Sequence, residues 1–199
     1  MPTLSVFVYR TLIDPLLAGL RHSIKEQIPE GSSCLDLACG TGTLVFELAR
    51  GCSSVVGIDM DEAKIKAAQN RVEIKGLSHL SFKMMDASDL SAFEDKHFDY
   101  ATMAMAVHQF PPELRIEIIR EAKRVSKKLI IADYAVPLPK TISGEFAKFI
   151  EFLAGKEHNG NFKNYYKNGG MQTQFEEMGI KAEKIAKRGL GVFQIWVCN

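Results

Sequence analysis

An acid and two closely spaced glycines stand out near the start of the chain. Asp36 lies in the apolar stretch "CLDLA", and Gly40 and Gly42 follow it, just before a helical pattern begins at about Thr43. Glycine lets a chain turn tightly and lets a ligand approach the backbone, while the first turn of a helix offers unpaired N–H groups to an anion. A carboxylate at the same turn attracts a cation. The pattern therefore predicts a site for a ligand that carries both charges.

A dinucleotide fits this turn poorly. Dinucleotide-binding turns have the pattern G-x-G-x-x-G, but the third position after Gly42 is Val45, and Asp36 would repel a pyrophosphate. A ligand with a cation and a carboxylate, but no phosphate, would gain from both the acid and the free N–H groups. S-adenosylmethionine fits this description.

Two further acids end later strand-like runs. Asp59 ends "VVGID" and Asp86 follows "KMM". Because the carboxyl ends of parallel strands meet at one edge of a sheet, we expect both acids to lie near Asp36. An acid at a strand end can also cap a helix, but Asp61 is the better cap for the helix that follows Asp59. We therefore expect the Asp59 carboxylate to be free for a ligand.

The elements that must position these acids alternate along the chain. Strand-like and helix-like patterns repeat from Leu35 onward, with helices predicted at about 43–50, 61–75 and 111–125. Strands separated by helices pair in parallel, which predicts a doubly wound α/β fold. The last two strand candidates are joined only by Gly189 to Gly191, so they must form an antiparallel hairpin. We predict a single α/β domain over 1–199, with a mainly parallel seven-stranded sheet.

Two segments lie outside this repeat. The first is a predicted N-terminal helical cap over about 1–30, with Asp14 before Pro15 at its start. The second is a helical insertion after the fifth strand, over about 137–170. One helical face of this insertion is apolar and consists of Ile142, Phe146, Phe149, Ile150 and Leu153. The later stretch "HNGNFKNYYKNGG" is either a mobile lid over an acceptor site or a surface loop anchored by its aromatic residues.

Composition restricts the function. The chain has 199 residues, and 25 Lys and Arg balance 24 Asp and Glu, so no overall positive field attracts nucleic acid. The sequence contains no signal-peptide pattern and no run of 18 apolar residues, and its four cysteines form no metal-binding or disulfide pattern. We expect a cytoplasmic protein without a transmembrane segment, nucleic-acid partner or metal site, and its oligomeric state stays open.

The segment "LDLACGTG" resembles motif I of the class I S-adenosylmethionine-dependent methyltransferases, with Ala38 where many members have the first glycine. This resemblance implies a Rossmann-like methyltransferase fold, with S-adenosylmethionine as cofactor and S-adenosylhomocysteine as product. It also implies that Asp59 binds the ribose hydroxyls, that Asp86 and the Ala87 N–H bind adenine, and that "FDYATMAM" ends beside the reacting methyl group. The cofactor contacts that we expect are Asp36, Ala38, Gly40, Gly42, Asp59, Met60, Asp86, Ala87 and Met103.

The general pattern is most similar to the small-molecule branch that includes ubiquinone and menaquinone biosynthesis methyltransferases. In this family a nucleophile displaces the methionine sulfur by in-line attack on the methyl group, and a general base is needed only if the acceptor must lose a proton. The candidate bases are His108 and, in the insertion, His158. His108 is the better placed, with a structural hydrogen-bonding role as the alternative. The candidate walls of an acceptor pocket are Tyr9, Tyr134, Phe162, Tyr165 and Tyr166, although Tyr134 also suits core packing.

Motifs of nucleic-acid methyltransferases fail to match. Enzymes of the [DN]-P-P-[YF] type need an acid or amide before the prolines, whereas this chain has "HQFPPE", and no cysteine follows a proline. A small organic methyl acceptor is therefore expected. The alternatives are a nucleotide-dependent oxidoreductase and a non-catalytic module that binds S-adenosylmethionine, and association of the insertion helix with a membrane surface also stays open.

Overall fold

The computed structural model describes residues 14–199, and strands and helices alternate in it as the sequence predicts. The strands are β1 (Ser33–Leu37), β2 (Ser54–Asp59), β3 (Leu80–Met84), β4 (Phe98–Ala104), β5 (Ser126–Tyr134), β6 (Ala182–Arg188) and β7 (Phe193–Cys198). The helices are α1 (Asp14–Lys25), α2 (Thr43–Leu48), α3 (Glu62–Lys75), α4 (Pro112–Val125), α5 (Ile142–Leu153), α6 (Lys156–Lys167) and α7 (Gly170–Glu177). A 3-10 helix, Val107–Gln109, follows β4.

The seven strands form one sheet in the order β3-β2-β1-β4-β5-β7-β6. The first five strands are parallel, and β7 pairs antiparallel with both β5 and β6. The predicted doubly wound sheet and its C-terminal hairpin are confirmed. Strand order reverses between β1 and β4, where Asp36 lies opposite Thr102. Such a reversal opens a crevice at the carboxyl ends of the strands, where ligands bind in this architecture.

The core consists of the central strands and the apolar faces of the helices that cover them. No surface is exposed at Leu35 and Leu37 of β1 or at Ile130 and Ile131 of β5. Parallel strands with helices on both faces are buried on both sides, which explains these continuous apolar runs. Among residues 14–199, every helix is too short or too polar to traverse a lipid bilayer.

Helix α3 begins and ends at the residues that the sequence indicated. The Asp61 carboxylate accepts hydrogen bonds from the backbone N–H groups of Ala63 (3.0 Å) and Lys64 (3.1 Å), and Gly76 ends the helix with a φ of 63°. This cap satisfies N–H groups that would otherwise lack a partner. It also orients the chain between β2 and α3, beside Asp59.

The structure decides which face of the insertion helix the protein covers, which the sequence left open. The apolar face of α5 is largely exposed: Ile142 is 90% exposed and Phe149 is 54% exposed. The buried face carries Gly144, Ala147 and Glu151 instead. A β-carbon at Gly144 would lie 2.0 Å from the carbonyl oxygen of Pro139, so α5 packs here only through a residue without a side chain.

The second half of the insertion is helix α6 rather than a loop. Phe162 and Tyr165 are buried, and the Tyr165 hydroxyl donates a hydrogen bond of 3.0 Å to the carbonyl oxygen of Tyr134 at the end of β5. The aromatic residues therefore turn inward as expected, but they attach the insertion to the sheet.

Candidate functional site

A cavity of about 1060 Å³ lies at the carboxyl ends of β1 to β4. Ligand pockets usually measure about 300–1,000 Å³, so this one lies at the upper limit of that range. One wall consists of the residues that end or follow the strands. The lining residues on this wall that the sequence predicted are Asp36, Ala38, Gly40, Asp59, Met60, Asp86 and Ala87.

The turn after β1 bends through left-handed backbone conformations. Ala38, Gly40 and Gly42 have φ values of 53°, 57° and 78°. Glycine adopts this conformation without strain, whereas alanine pays a steric cost at Ala38. A β-carbon on Gly40 would meet no atom within 4 Å, so the cavity approaches this backbone closely.

Gly42, a predicted cofactor contact, is absent from the described lining of the cavity. It is the N-cap residue of the six-residue helix α2. A β-carbon there would lie 2.4 Å from the ring of Phe82 on β3. Gly42 is therefore required for packing between the turn and the sheet.

Asp36 is almost completely buried at the base of the cavity. Its carboxylate accepts a hydrogen bond of 2.6 Å from the Thr102 hydroxyl of the neighbouring strand. Burial raises the pKa of Asp36 to about 7, the Thr102 hydrogen bond lowers it in part, and the Asp59 charge raises it further. A cation in the cavity would favour the ionised form of this acid.

Asp59 connects the turn after β1 to the end of β2. One of its carboxylate oxygens accepts a hydrogen bond of 2.8 Å from the Gly40 N–H, and the other accepts one of 2.9 Å from the Asp61 N–H. Asp61 caps the following helix, as expected, but Asp59 also has these two partners within the protein. Each oxygen keeps a second lone pair, so the carboxylate can still accept hydrogen bonds from ligand hydroxyls.

Asp86 and Ala87 lie at the third strand end. The Asp86 Oδ1 atom accepts hydrogen bonds of 2.8 Å from both the backbone N–H and the hydroxyl of Ser88. These bonds fix the orientation of an otherwise exposed side chain. Ala87 is buried and lines the same part of the cavity.

The end of β4 forms the floor between the two walls. Met103 is part of the buried core and is absent from the described lining of the cavity. The residues that follow it, Ala104, Met105 and Ala106, line the cavity instead. Met105 has a φ of 56°, a strained value for a residue with a side chain.

The opposite wall is mainly apolar and was only partly predicted. Helix α1 contributes Leu17, Leu20 and Arg21, while α4 and the segment before it contribute Gln109, Phe110, Leu114 and Ile118. The periodicity of α1 and α4 marked their leucines and isoleucines as buried. Periodicity does not show whether such a residue packs in the core or lines a cavity, because that depends on the distance between the helix and the sheet.

His108 and the predicted acceptor-pocket aromatics lie away from this cavity. His108, Tyr134, Phe162, Tyr165 and Tyr166 are absent from the described lining, and Tyr9 lies outside the described residues. His108 is buried beneath the insertion, where its Nδ1 atom lies 2.6 Å from Asp133 Oδ1. The structure thus favours a hydrogen-bonding role for His108 over that of a base in this cavity.

Carboxylates surround the buried His108 ring. Burial by itself would lower the pKa of His108, but the Asp133 and Glu151 carboxylates outweigh it, and the pKa lies above its usual value. The Glu151 carboxylate also accepts a hydrogen bond of 2.8 Å from the Tyr134 hydroxyl. The 3-10 helix, β5 and α5 together create this polar cluster, and no local pattern in the sequence indicates it.

Comparisons with known proteins agree with this geometry. A family described as a methyltransferase domain matches residues 34–128, which contain the cavity's strand ends. The chain is 28% identical over 180 residues to a demethylmenaquinone methyltransferase of Bacillus cereus, across 84% of this chain and 73% of the relative. It is 31% identical over 141 residues to a 2-phytyl-1,4-naphtoquinone methyltransferase of Trichormus variabilis, across 65% of this chain and 61% of the relative.

A solved structure shows the same fold. The S-adenosylmethionine-dependent methyltransferase from Aquifex aeolicus superposes with a TM-score of 0.67 over 98% of this chain and 97% of that chain, at 18% sequence identity. The comparisons therefore identify a methyltransferase domain in residues 34–128, within a chain that has the fold of S-adenosylmethionine-dependent methyltransferases, and quinone methyltransferases are among the proteins that it resembles in sequence.

Proposed function

We propose that the chain transfers the methyl group of S-adenosylmethionine to a small organic acceptor bound beside the cofactor in the cavity described above. This proposal rests on one observation: one wall of the cavity is polar and the other is apolar. Carboxylates and backbone N–H groups lie at the strand ends, and an apolar surface from α1 and α4 faces them. The first wall suits the cofactor, and the second suits an acceptor with apolar surface.

The cofactor contacts are assigned from the strand ends. Asp36 lies where it can offset the positive charge of the methionine part, and the backbone at Ala38 and Gly40 can approach that part closely. Asp59 accepts hydrogen bonds from the ribose hydroxyls, beside Met60. Asp86 and Ala87 hold the adenine. Of the predicted contacts, Gly42 and Met103 are left out of this proposal, and Ala104 and Met105, which line the cavity, take the place of Met103.

The protein contributes to the reaction by orienting the two reactants and excluding water. The positively charged sulfur of the cofactor is already a good leaving group. Holding the acceptor in line with the methyl group lowers the activation barrier by up to about 7–11 kcal/mol. Among the described residues of the cavity lining, none is a histidine or a tyrosine. Because the carboxylates of the described lining are assigned to the cofactor, this proposal favours an acceptor that has lost its proton before the transfer, such as an ionised hydroxyl on an aromatic ring.

The names of two relatives indicate which acceptors to test first. Those proteins are named for naphthoquinone-type substrates, and a hydroquinone ring with a short apolar chain combines an ionisable hydroxyl with apolar surface. The balanced charge of the chain gives no support to an RNA acceptor. The free thiols of the described cysteines suit a reducing compartment, so we place the enzyme in the cytoplasm.

We also propose that residues 1–199 form one domain in which the N-terminal segment, over about 1–30, covers the acceptor side. Leu17 and Leu20 of α1 support this assignment because they line the apolar wall. The insertion, over about 137–170, contributes none of the described lining residues, so we no longer assign it as the lid.

The decisive experiment supplies methyl-labelled S-adenosylmethionine together with either a series of naphthohydroquinones and phenols or bulk RNA. The proposal predicts label in at least one small aromatic acceptor and none in RNA. Label in RNA alone would contradict the small-molecule assignment. In parallel, calorimetry should detect binding of S-adenosylhomocysteine, and tighter binding of NAD would support an oxidoreductase instead.

A further inference from the structure

Three side chains that commonly bind metal ions converge beneath the insertion. His108 comes from the 3-10 helix, Glu151 from α5 and His158 from α6. The Nε2 atom of His108 lies 3.6 Å from Glu151 Oε1, and the Nε2 atom of His158 lies 2.5 Å from Glu151 Oε2. The candidate ligand atoms all lie within 4.8 Å of one another.

The hydrogen bonds of Asp133 assign the tautomer of His108. Both oxygens of this carboxylate accept backbone N–H groups, from His108 at 3.2 Å and from Tyr134 at 2.7 Å. The carboxylate therefore acts as an acceptor, and the His108 Nδ1 atom, 2.6 Å away, carries a hydrogen. In the neutral ring, Nε2 then presents a lone pair towards Glu151.

The two carboxylate oxygens of Glu151 have different surroundings, and the residue is 4% exposed. The Tyr134 hydroxyl donates a hydrogen bond to Oε1. Oε2 accepts no hydrogen bond of ordinary geometry from the described residues and lies 2.5 Å from the His158 ring nitrogen. A buried carboxylate is costly unless a cation balances its charge, so a positive ligand shared by Glu151 and His158 would stabilise the fold.

We propose that His108, Glu151 and His158 bind a divalent transition-metal ion of the zinc type. Two imidazoles and one carboxylate form a common set of three protein ligands for zinc, with a fourth position for water. Atoms at about 2.0–2.2 Å from a tetrahedral ion lie about 3.3–3.6 Å apart, which matches the distance between His108 and Glu151. His158 must retreat by about 1 Å from Glu151 to match it, and its partly exposed side chain permits this movement.

The groups around these ligands support the same assignment. Asp133 orients His108, and Tyr134 orients Glu151, as outer-shell groups do in zinc sites. The two carboxylates carry two negative charges, and Arg115 is the cation that acts on His108 from α4. The cluster with neutral imidazoles therefore has a net negative charge, which favours a cation.

The ion would fasten the insertion to the sheet. It would connect α5 and α6 to the 3-10 helix, whose last residue, Gln109, and whose preceding residue, Ala106, line the methyl-transfer cavity. Its role is thus to position one end of the cavity. The proposal does not depend on the identity of the methyl acceptor, because it concerns a separate set of side chains.

The test is zinc binding by the full, tag-free chain after removal of metal with a chelator. Titration of Zn²⁺ against a chromophoric chelator should reveal one equivalent of bound zinc. His158→Ala and Glu151→Gln should each weaken binding at least tenfold. The matched control is His22→Ala, because His22 is an exposed histidine that pairs with Glu26 on α1, and this variant should bind zinc like the parent.

Cobalt and heat denaturation provide independent readouts. Cobalt should give the visible absorption bands of tetrahedral nitrogen and oxygen ligation, and zinc should raise the melting temperature of the parent and of His22→Ala but not of His158→Ala. Unchanged zinc affinity in His158→Ala, a thiolate-to-cobalt charge-transfer band or no stoichiometric zinc binding would each overturn the proposal. If Glu151→Gln fails to fold, the zinc affinity of His158→Ala tests the proposal instead, because the His158 side chain is partly exposed and its loss should be tolerated. S-adenosylhomocysteine should be titrated into each variant as well. A variant that loses zinc but keeps its affinity for S-adenosylhomocysteine has lost the metal site and not the proposed methyltransferase site.

Discussion

The Asp59 carboxylate accepts a hydrogen bond of 2.8 Å from the backbone N–H of Gly40 and thereby connects the end of β2 to the turn after β1. The same carboxylate accepts the Asp61 N–H at 2.9 Å. One side chain therefore holds two loops of the cavity in register. In our proposal it also binds the ribose, so its loss should affect both stability and affinity.

Replacement of Asp59 by alanine should weaken S-adenosylhomocysteine binding by a few kcal/mol and lower the free energy of unfolding. Each hydrogen bond to a charged group contributes about 1.5–3 kcal/mol, and the protein itself loses two of them. Calorimetry and urea denaturation measure the two effects. Asp61→Ala is the matched control: it removes a helix cap worth about 0.5–2 kcal/mol of stability. Equal losses of affinity in the two variants would argue against a direct role for Asp59.

Alanine at Gly42 should mainly lower stability, whereas alanine at Gly40 should mainly lower cofactor affinity. Gly42→Ala should cost the strain of a left-handed alanine, about 1–2 kcal/mol, plus an overpacking cost of about 1–3 kcal/mol against Phe82. Gly40→Ala should cost only the strain, but its methyl group should reduce cofactor affinity because it enters the cavity. Denaturation and calorimetry on both variants test this. Gly42→Ala combined with Phe82→Leu should recover part of the lost stability, and a lack of recovery would contradict the contact.

Cofactor affinity should depend on pH through Asp36. The pKa of this acid is raised to about 7, so the acid is mostly neutral below that pH and ionised above it. A ligand with a positive charge beside it binds the ionised form better, so affinity should rise with pH and reach a plateau above pH 7. We expect binding about tenfold weaker at pH 6 than on the plateau, with proton release on binding. Calorimetry in buffers of different ionisation enthalpy measures this release, and a slope retained in Asp36→Asn would assign it to another group.

Phe110 should affect the acceptor more than the cofactor. It lies on the apolar wall, and removal of a buried aromatic side chain costs about 1.5–3 kcal/mol of transfer free energy. Phe110→Ala should therefore raise the KM for an aromatic acceptor about tenfold or more and leave the Kd of S-adenosylhomocysteine unchanged. Phe149→Ala, at an exposed position on α5, is the control. A larger effect in the control would place the acceptor on the insertion instead.

The sequence predicted those parts of the structure that follow from local periodicity. The strand and helix patterns give the parallel sheet, and the rule that parallel strands end at one edge brings Asp36, Asp59 and Asp86 to one cavity. The short Gly189 to Gly191 connection likewise left only an antiparallel pairing for the last two strands.

The remaining features depend on contacts between distant segments. The amphipathic pattern of α5 does not indicate which of its faces packs against the rest of the protein. Glu151 lies on the buried face because it contacts Tyr134 and His108 there. The packing role of Gly42 likewise depends on Phe82, which is far away in the sequence. No motif in a single sequence encodes these pairs.

The most direct test of the central claim is a crystal structure of the chain with S-adenosylhomocysteine. The account predicts the ribose hydroxyls within hydrogen-bond distance of Asp59, the adenine beside Asp86 and Ala87, and the sulfur facing the end of β4 at Ala104 and Met105. Open space should remain between the sulfur and the wall that contains Phe110 and Leu114. A ligand bound elsewhere, or a sulfur with no room for an acceptor beside it, would contradict the account.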